Sequence, residues 1–112
     1  MATFEPGDLV RVPFPYTDRP VRQRRPALVV AAGDLVERQG LLWVVMVTSA
    51  THRRWPGDVE IADHVACGLP APSIVRPAKI ATIEGRDAAA IGRLPRELRD
   101  AALDEVARRI GR

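Results

Sequence analysis

Cysteine is nearly missing from this chain, and its scarcity removes several chemistries together. Cys67 stands alone, so no internal disulfide and no cysteine zinc site can form. Long apolar runs are missing too: the longest, Leu41 to Val47, is far too short to cross a bilayer. The opening "MATFEPGD" carries two acids and no basic region, unlike a secretory signal. There is no phosphate-binding glycine loop, no histidine pair at metal spacing and no nucleophile elbow. His52 and His64 stand singly in loops, and Cys67 beside Gly68 reads as a small buried filler. No internal repeat, linker or low-complexity tract divides the chain, so residues 1–112 are expected to form one domain in the cytoplasm.

What is present is arginine. Sixteen arginines stand against one lysine, Lys79, and the net charge is +3. The excess is local: residues 1–56 hold eight arginines against five acids, while residues 57–112 balance. Arg19, Arg22, Arg24 and Arg25 crowd one short polar stretch, opposed only by Asp18. Arginine is the side chain suited to planar, two-point contact with phosphate. A confined cationic patch on a chain of modest net charge points to a nucleic-acid site.

The patterning is mainly that of β-structure. "GDLVRVPFPY" (7–16) alternates apolar and polar residues and reads as a strand, with Pro13 and Pro15 confining its end to an edge. "PALVVAA" (26–32) is a second strand, and Gly33-Asp34 begins a connection. "LLWVVMVTSA" (41–50), continuously apolar and β-branched, predicts a strand buried on both faces. "VEI" (59–61) is short, and "SIVRPAKIATI" (73–83) is a longer strand broken or bulged near Pro77. The tail changes period: Leu98, Ala102, Val106 and Ile110 form a helical stripe, with Pro95 at the first helical position and Gly111 at the stop. Asp104–Arg108 and Glu105–Arg109 have the spacing of helical ion pairs. The expectation is a strongly bent antiparallel sheet of about five strands, closed or nearly so, with a C-terminal helix packed on it.

Two short stretches can carry chemistry. In Arg24-Arg25-Pro26 the proline fixes its own φ and pushes Arg25 toward extended backbone, so that guanidinium leaves a rigid strand start. Thr48-Ser49 ends the most buried strand, and hydroxyls at a strand mouth can donate to phosphate oxygens. They can equally end the strand by bonding local backbone. A guanidinium and a hydroxyl at strand ends, beside two basic loops, make a phosphate site plausible chemistry.

The ordered set "GDLVRVPFPYTD…RRPALVV", "VVMVTSA…WPGDVEI" and "SIVRPAKIATIEG…IGRLP" resembles the MazF/PemK family, toxins of type II toxin–antitoxin modules. The resemblance runs from Gly7 to the terminal helix. It implies a mainly β fold with a C-terminal α-helix, the small SH3-like β-barrel shared by CcdB and MazF toxins. It further implies a homodimeric, metal- and cofactor-free endoribonuclease that cuts single-stranded RNA at short sequences and is covered by an antitoxin segment. By the family's motifs the catalytic residues fall on Arg25 and Thr48. The RNA-holding positions fall on Phe14, Thr17, Asp18, Arg22, Gln23 and Arg24, on Ser49, His52 and Arg53, and on Lys79. Many members carry Gly, Ser, Glu or Gln where this loop reads "TDRPVRQRR", a departure that bears on base preference.

The implied reaction uses the substrate's own 2′-hydroxyl and passes through a phosphorane with extra negative charge. Arginine titrates too high to act as a ground-state base, so Arg25 would stabilise that charge while Thr48 bonds a phosphate oxygen. Asp18, His52 and groups of the substrate are candidates for the general base. The alternatives are a non-catalytic RNA-binding barrel and a gyrase-poisoning toxin of the CcdB kind. The latter acts through a C-terminal Trp-Gly-Ile, whereas "RRIGR" follows with no tryptophan after Trp55.

Overall fold

The structure, a computed structural model, describes residues 3–15 and 23–111. Six strands, β1 (Asp8–Pro13), β2 (Arg24–Ala31), β3 (Leu41–Ser49), β4 (Val59–Ile61), β5 (Ser73–Glu84) and β6 (Ala89–Arg93), form one antiparallel sheet in the order β4-β5-β3-β2-β1-β6. A short helix α1 (Asp34–Gln39) links β2 to β3, and α2 (Arg96–Arg109) closes the chain. The sheet curls into a half-barrel; among the described residues β4 and β6 are its edges and do not pair with each other.

Alternation along β1 to β3 feeds two cores, one on each face. Val10, Val12, Ala27, Val29, Val44 and Met46 line one face with Phe4, Phe14, Leu42 and Ile83. Leu9, Leu28, Val45 and Val47 point the other way and pack with Val75, Cys67, Leu69, Leu94 and Ala102. β3 is therefore buried on both faces, as its unbroken apolar run predicts, and each such side chain contributes ~1.5–3 kcal/mol of burial. Trp43 interrupts that run at 42% exposure.

Four expectations need correction. The sheet has a sixth strand, β6, which pairs with β1; "AAIGR" is too short and alanine-rich to announce a strand. Its Gly92 passes so close to the Cys67 carbonyl that an added Cβ would lie 2.2 Å from that oxygen. The connection after Gly33 contains α1, which ends at Gly40 in a left-handed conformation. Helix α2 begins one residue later than expected, with Pro95 as an extended cap whose carbonyl accepts from Arg99 at 2.9 Å. Its stripe packs through Leu98, Ala102 and Val106, while Ile110 is exposed beyond the sheet. Glu105 takes both Arg108 and Arg109, so Arg108 turns to the acid three residues back rather than to Asp104. The break near Pro77 is a bulge: β5 pairs Ile80 with Val45 but Arg76 with Met46, so residues 77–79 loop out of the ladder.

Candidate active site

The site lies where β2 and β3 part. The ladder between them begins only at Ala27↔Met46, because Pro26 brings no N–H to a further rung. Outward of that rung, each strand is held by its other neighbour. Arg25 pairs with Val12 of β1, and Thr48 with Ile74 of β5. Extending the 27↔46 register by two residues sets Arg25 across from Thr48, both on the face of Ala27 and Met46. Two adjacent strands thus deliver an exposed guanidinium and a partly exposed hydroxyl to one mouth while their backbones stay fixed. Arg25 Nη2 donates to Gln23 Oε1 at 3.0 Å, which orients the planar group. Phe14 N–H donates to the Gln23 carbonyl at 3.3 Å, closing the base of the basic loop.

The two hydroxyls at the end of β3 behave differently. Ser49 Oγ meets Thr51 Oγ1 at 2.8 Å and accepts from the Thr51 N–H at 3.2 Å, a local strand-ending turn. Thr48 makes no such backbone bond; its Oγ1 lies 2.7 Å from His52 Nδ1. His52 is exposed, and its N–H donates to the Ser49 carbonyl at 3.1 Å.

The segment carrying His52 and Arg53 is held from beneath by residues that sequence reasoning passed over. Arg76, buried on β5, donates through Nη2 to Asp58 at 2.9 Å and to the Arg53 carbonyl at 2.7 Å, and its guanidinium stacks 4.2 Å from the Trp55 ring centre. Asp58 also accepts from the Trp55 N–H at 2.8 Å. From the other side Arg109 of α2 donates to the Pro56 carbonyl at 3.0 Å. Gly57 permits that approach: its φ is 88°, and a Cβ there would lie 2.8 Å from both Arg109 and Glu105. The available signal was Arg76 itself, a charge inside an apolar strand, which demands a buried partner.

The remaining predicted positions are dispersed. Lys79 sits in the β5 bulge with Nζ 5.5 Å from the Trp55 ring centre. Arg24 turns to the opposite side, donating to the carbonyls of Arg11 at 3.0 Å and Asp87 at 3.3 Å. Phe14 is 2% exposed and packs in the core with Val10 and Val12 instead of standing open at the mouth. Thr17, Asp18 and Arg22 lie outside the described residues. Cys67 is buried away from the mouth. Burial first, and Asp63 second, push its thiol up, which keeps it protonated and inert.

The family profile described as "PemK-like, MazF-like toxin of type II toxin-antitoxin system" matches residues 5–112. Among solved structures, MazF from Deinococcus radiodurans superposes with a TM-score of 0.81 at 22% identity, covering 100% of both chains. A MazE–MazF complex from the same organism gives 0.78 at 21% identity, over 99% of this chain and 98% of that one. A mycobacterial endoribonuclease in complex with its cognate antitoxin gives 0.72 at 18% identity, over 94% and 92%. No curated protein matches the chain. These likenesses share the half-barrel and its C-terminal helix, and with the match over residues 5–112 they show that the chain belongs to the PemK/MazF family of type II toxin–antitoxin toxins.

Proposed function

We infer that this chain is the toxin of a type II module and acts in the cytoplasm. There it cleaves single-stranded RNA at short specific sequences, without a metal, by attack of the substrate 2′-hydroxyl. One observation carries the reading: Arg25 and Thr48 occupy facing positions at one open strand mouth, the first oriented by Gln23 and the second free of local backbone bonds. A fixed guanidinium aimed at a phosphorane is stronger there than in water, because nothing must reorganise as the charge develops. Arg25 is the charge stabiliser and Thr48 the donor to a non-bridging oxygen; such donors are worth roughly 2.7–4 kcal/mol each. Gln23, Ser49 and Arg53 flank the mouth as RNA contacts, joined by Thr17, Asp18 and Arg22 of the basic loop and, farther off in the β5 bulge, by Lys79.

Two of the similar proteins form complexes, one with its cognate antitoxin and one with MazE. By extension, an acidic antitoxin segment lies across Arg22 and Arg25, competing with RNA for the same charges, while Arg24, turned to the carbonyls of Arg11 and Asp87, stays out of that contact. The toxin itself works as a homodimer, which lengthens the basic track. With a chain mass of 12.3 kDa, sedimentation at micromolar concentration should return about twice that value; a monomer mass would refute the dimer. The function is tested by incubating purified protein with mixed RNA in EDTA and mapping new ends. The expected products carry 2′,3′-cyclic phosphate and 5′-hydroxyl termini at a recurring short sequence. Intact RNA beside a folded melting curve would instead favour the non-catalytic barrel.

A further inference from the structure

We propose that His52 is the general base of the cleavage step and that its contact with Thr48 sets the tautomer it needs; this rests on the ribonuclease reading above. Thr48 Oγ1 and His52 Nδ1 lie 2.7 Å apart. A hydroxyl has one hydrogen to give. If Thr48 gives it to Nδ1, none is left for a phosphate oxygen, and the neutral ring carries its proton on Nε2. An anionic phosphate oxygen arriving at Oγ1 takes that hydrogen instead. Nδ1–H must then donate to Oγ1, and the neutral imidazole keeps its lone pair on Nε2. The arrangement that makes Thr48 a phosphate donor is therefore the one that makes His52 a base.

Position supports the chemistry. The ring is exposed, so Nε2 can reach a bound ribose. Its backbone is held on both sides, by the Ser49 carbonyl at 3.1 Å and through the Arg53 carbonyl on Arg76 at 2.7 Å. Among the described residues, the charged groups on this side are Arg25 across the mouth, with Arg53 and Arg54 on its own segment, Arg54 being paired to Glu60 at 3.2 Å. Beneath, Arg76 and Asp58 neutralise each other at 2.9 Å. In the step, Nε2 takes the 2′-hydroxyl proton, O2′ bonds to phosphorus, the P–O5′ bond breaks, and O5′ takes a proton from solvent. Arg25 holds the charge that passes through the phosphoryl oxygens. The products are a 2′,3′-cyclic phosphate and a 5′-hydroxyl, with no oxidant or further reactant.

Single-turnover cleavage at saturating protein separates a base from a prop. His52→Ala should be slower by roughly 100-fold or more, the usual worth of a general base. His52→Asn should be as slow, although its side-chain amide can replace the Nδ1–H donor to Thr48. Free imidazole should restore part of the His52→Ala rate in proportion to its neutral form, with each protein kept well above its own Kd for RNA blocked by 2′-deoxy substitution so that any loss of binding is excluded from the rate. A His52→Asn rate equal to the parent's would overturn the proposal, since His52 would then only position Thr48. So would a His52→Ala rate that equals the parent's or that imidazole fails to raise. A folded parent that cuts no RNA would overturn the ribonuclease reading and this step with it, an outcome visible before any variant is made.

Discussion

The guanidinium of Arg24 donates to two main-chain carbonyls, while that of neighbouring Arg25 meets the side chain of Gln23. Adjacent strand residues face opposite sides, so one arginine ties β2 to its surroundings and the other faces the mouth. In the sequence the two belong to a single patch of charge, because composition gives the sign of a surface and not the destination of each side chain. Arg53 is a third case: its carbonyl is held by Arg76, but its side chain is exposed. Arg53→Ala should weaken RNA binding about equally for all sequences and reduce the log–log salt slope by about 0.7, the value for one phosphate contact on a single strand. Filter binding of blocked RNA across a salt series measures this; an unchanged slope would remove Arg53 from the interface.

Among elements, β3 and α2 were legible in the sequence because one period dominates each. The same run that predicts β3 ends in the threonine that faces Arg25. β6 was not legible: its pairing with β1 and the passage of Gly92 against the Cys67 carbonyl are tertiary facts. The clamp of Arg76, Asp58 and Trp55 was hidden for a similar reason, since Asp58 lies in a loop eighteen residues before Arg76. With side chains 7% and 2% exposed, that ion pair is a buried one. Asp58→Asn leaves Arg76 charged and uncompensated, which should cost ~3–5 kcal/mol of stability. Denaturant unfolding reads the loss, and cleavage should fall with it as the segment of His52 loosens. At α2, the bonds from Arg108 and then Arg109 hold the Glu105 carboxyl below its ordinary value of 4.5. A depressed folded-state value means that these pairs stabilise fully above pH 4.5 and fade as pH falls below it. Melting points of the parent and Glu105→Gln should therefore differ above that pH and converge on the acid side; a constant gap would show that the pairs add nothing.

At the scale of the whole molecule, the half-barrel serves chiefly to hold two strand ends still. β1 fixes β2 from one side and β5 fixes β3 from the other, so the mouth between them is open without being loose. The curl of the sheet was foreseeable from strand patterning, whereas the facing of Arg25 and Thr48 depended on a register that only the paired backbones define. The excess positive charge of the chain falls within residues 1–56, which also supply Arg25 and Thr48. Because Arg25 is exposed and outside both cores, its truncation opens no cavity and spares the fold. The most direct measurement is therefore single-turnover RNA cleavage by Arg25→Ala and Arg25→Lys beside the parent, with a melting curve for each. The expected result is a loss of at least roughly 100-fold in Arg25→Ala, little recovery in Arg25→Lys because an ammonium lacks the planar two-point fork, and unchanged melting points. Cleavage by a folded Arg25→Ala at near the parent rate would contradict the assignment of this mouth as the active site.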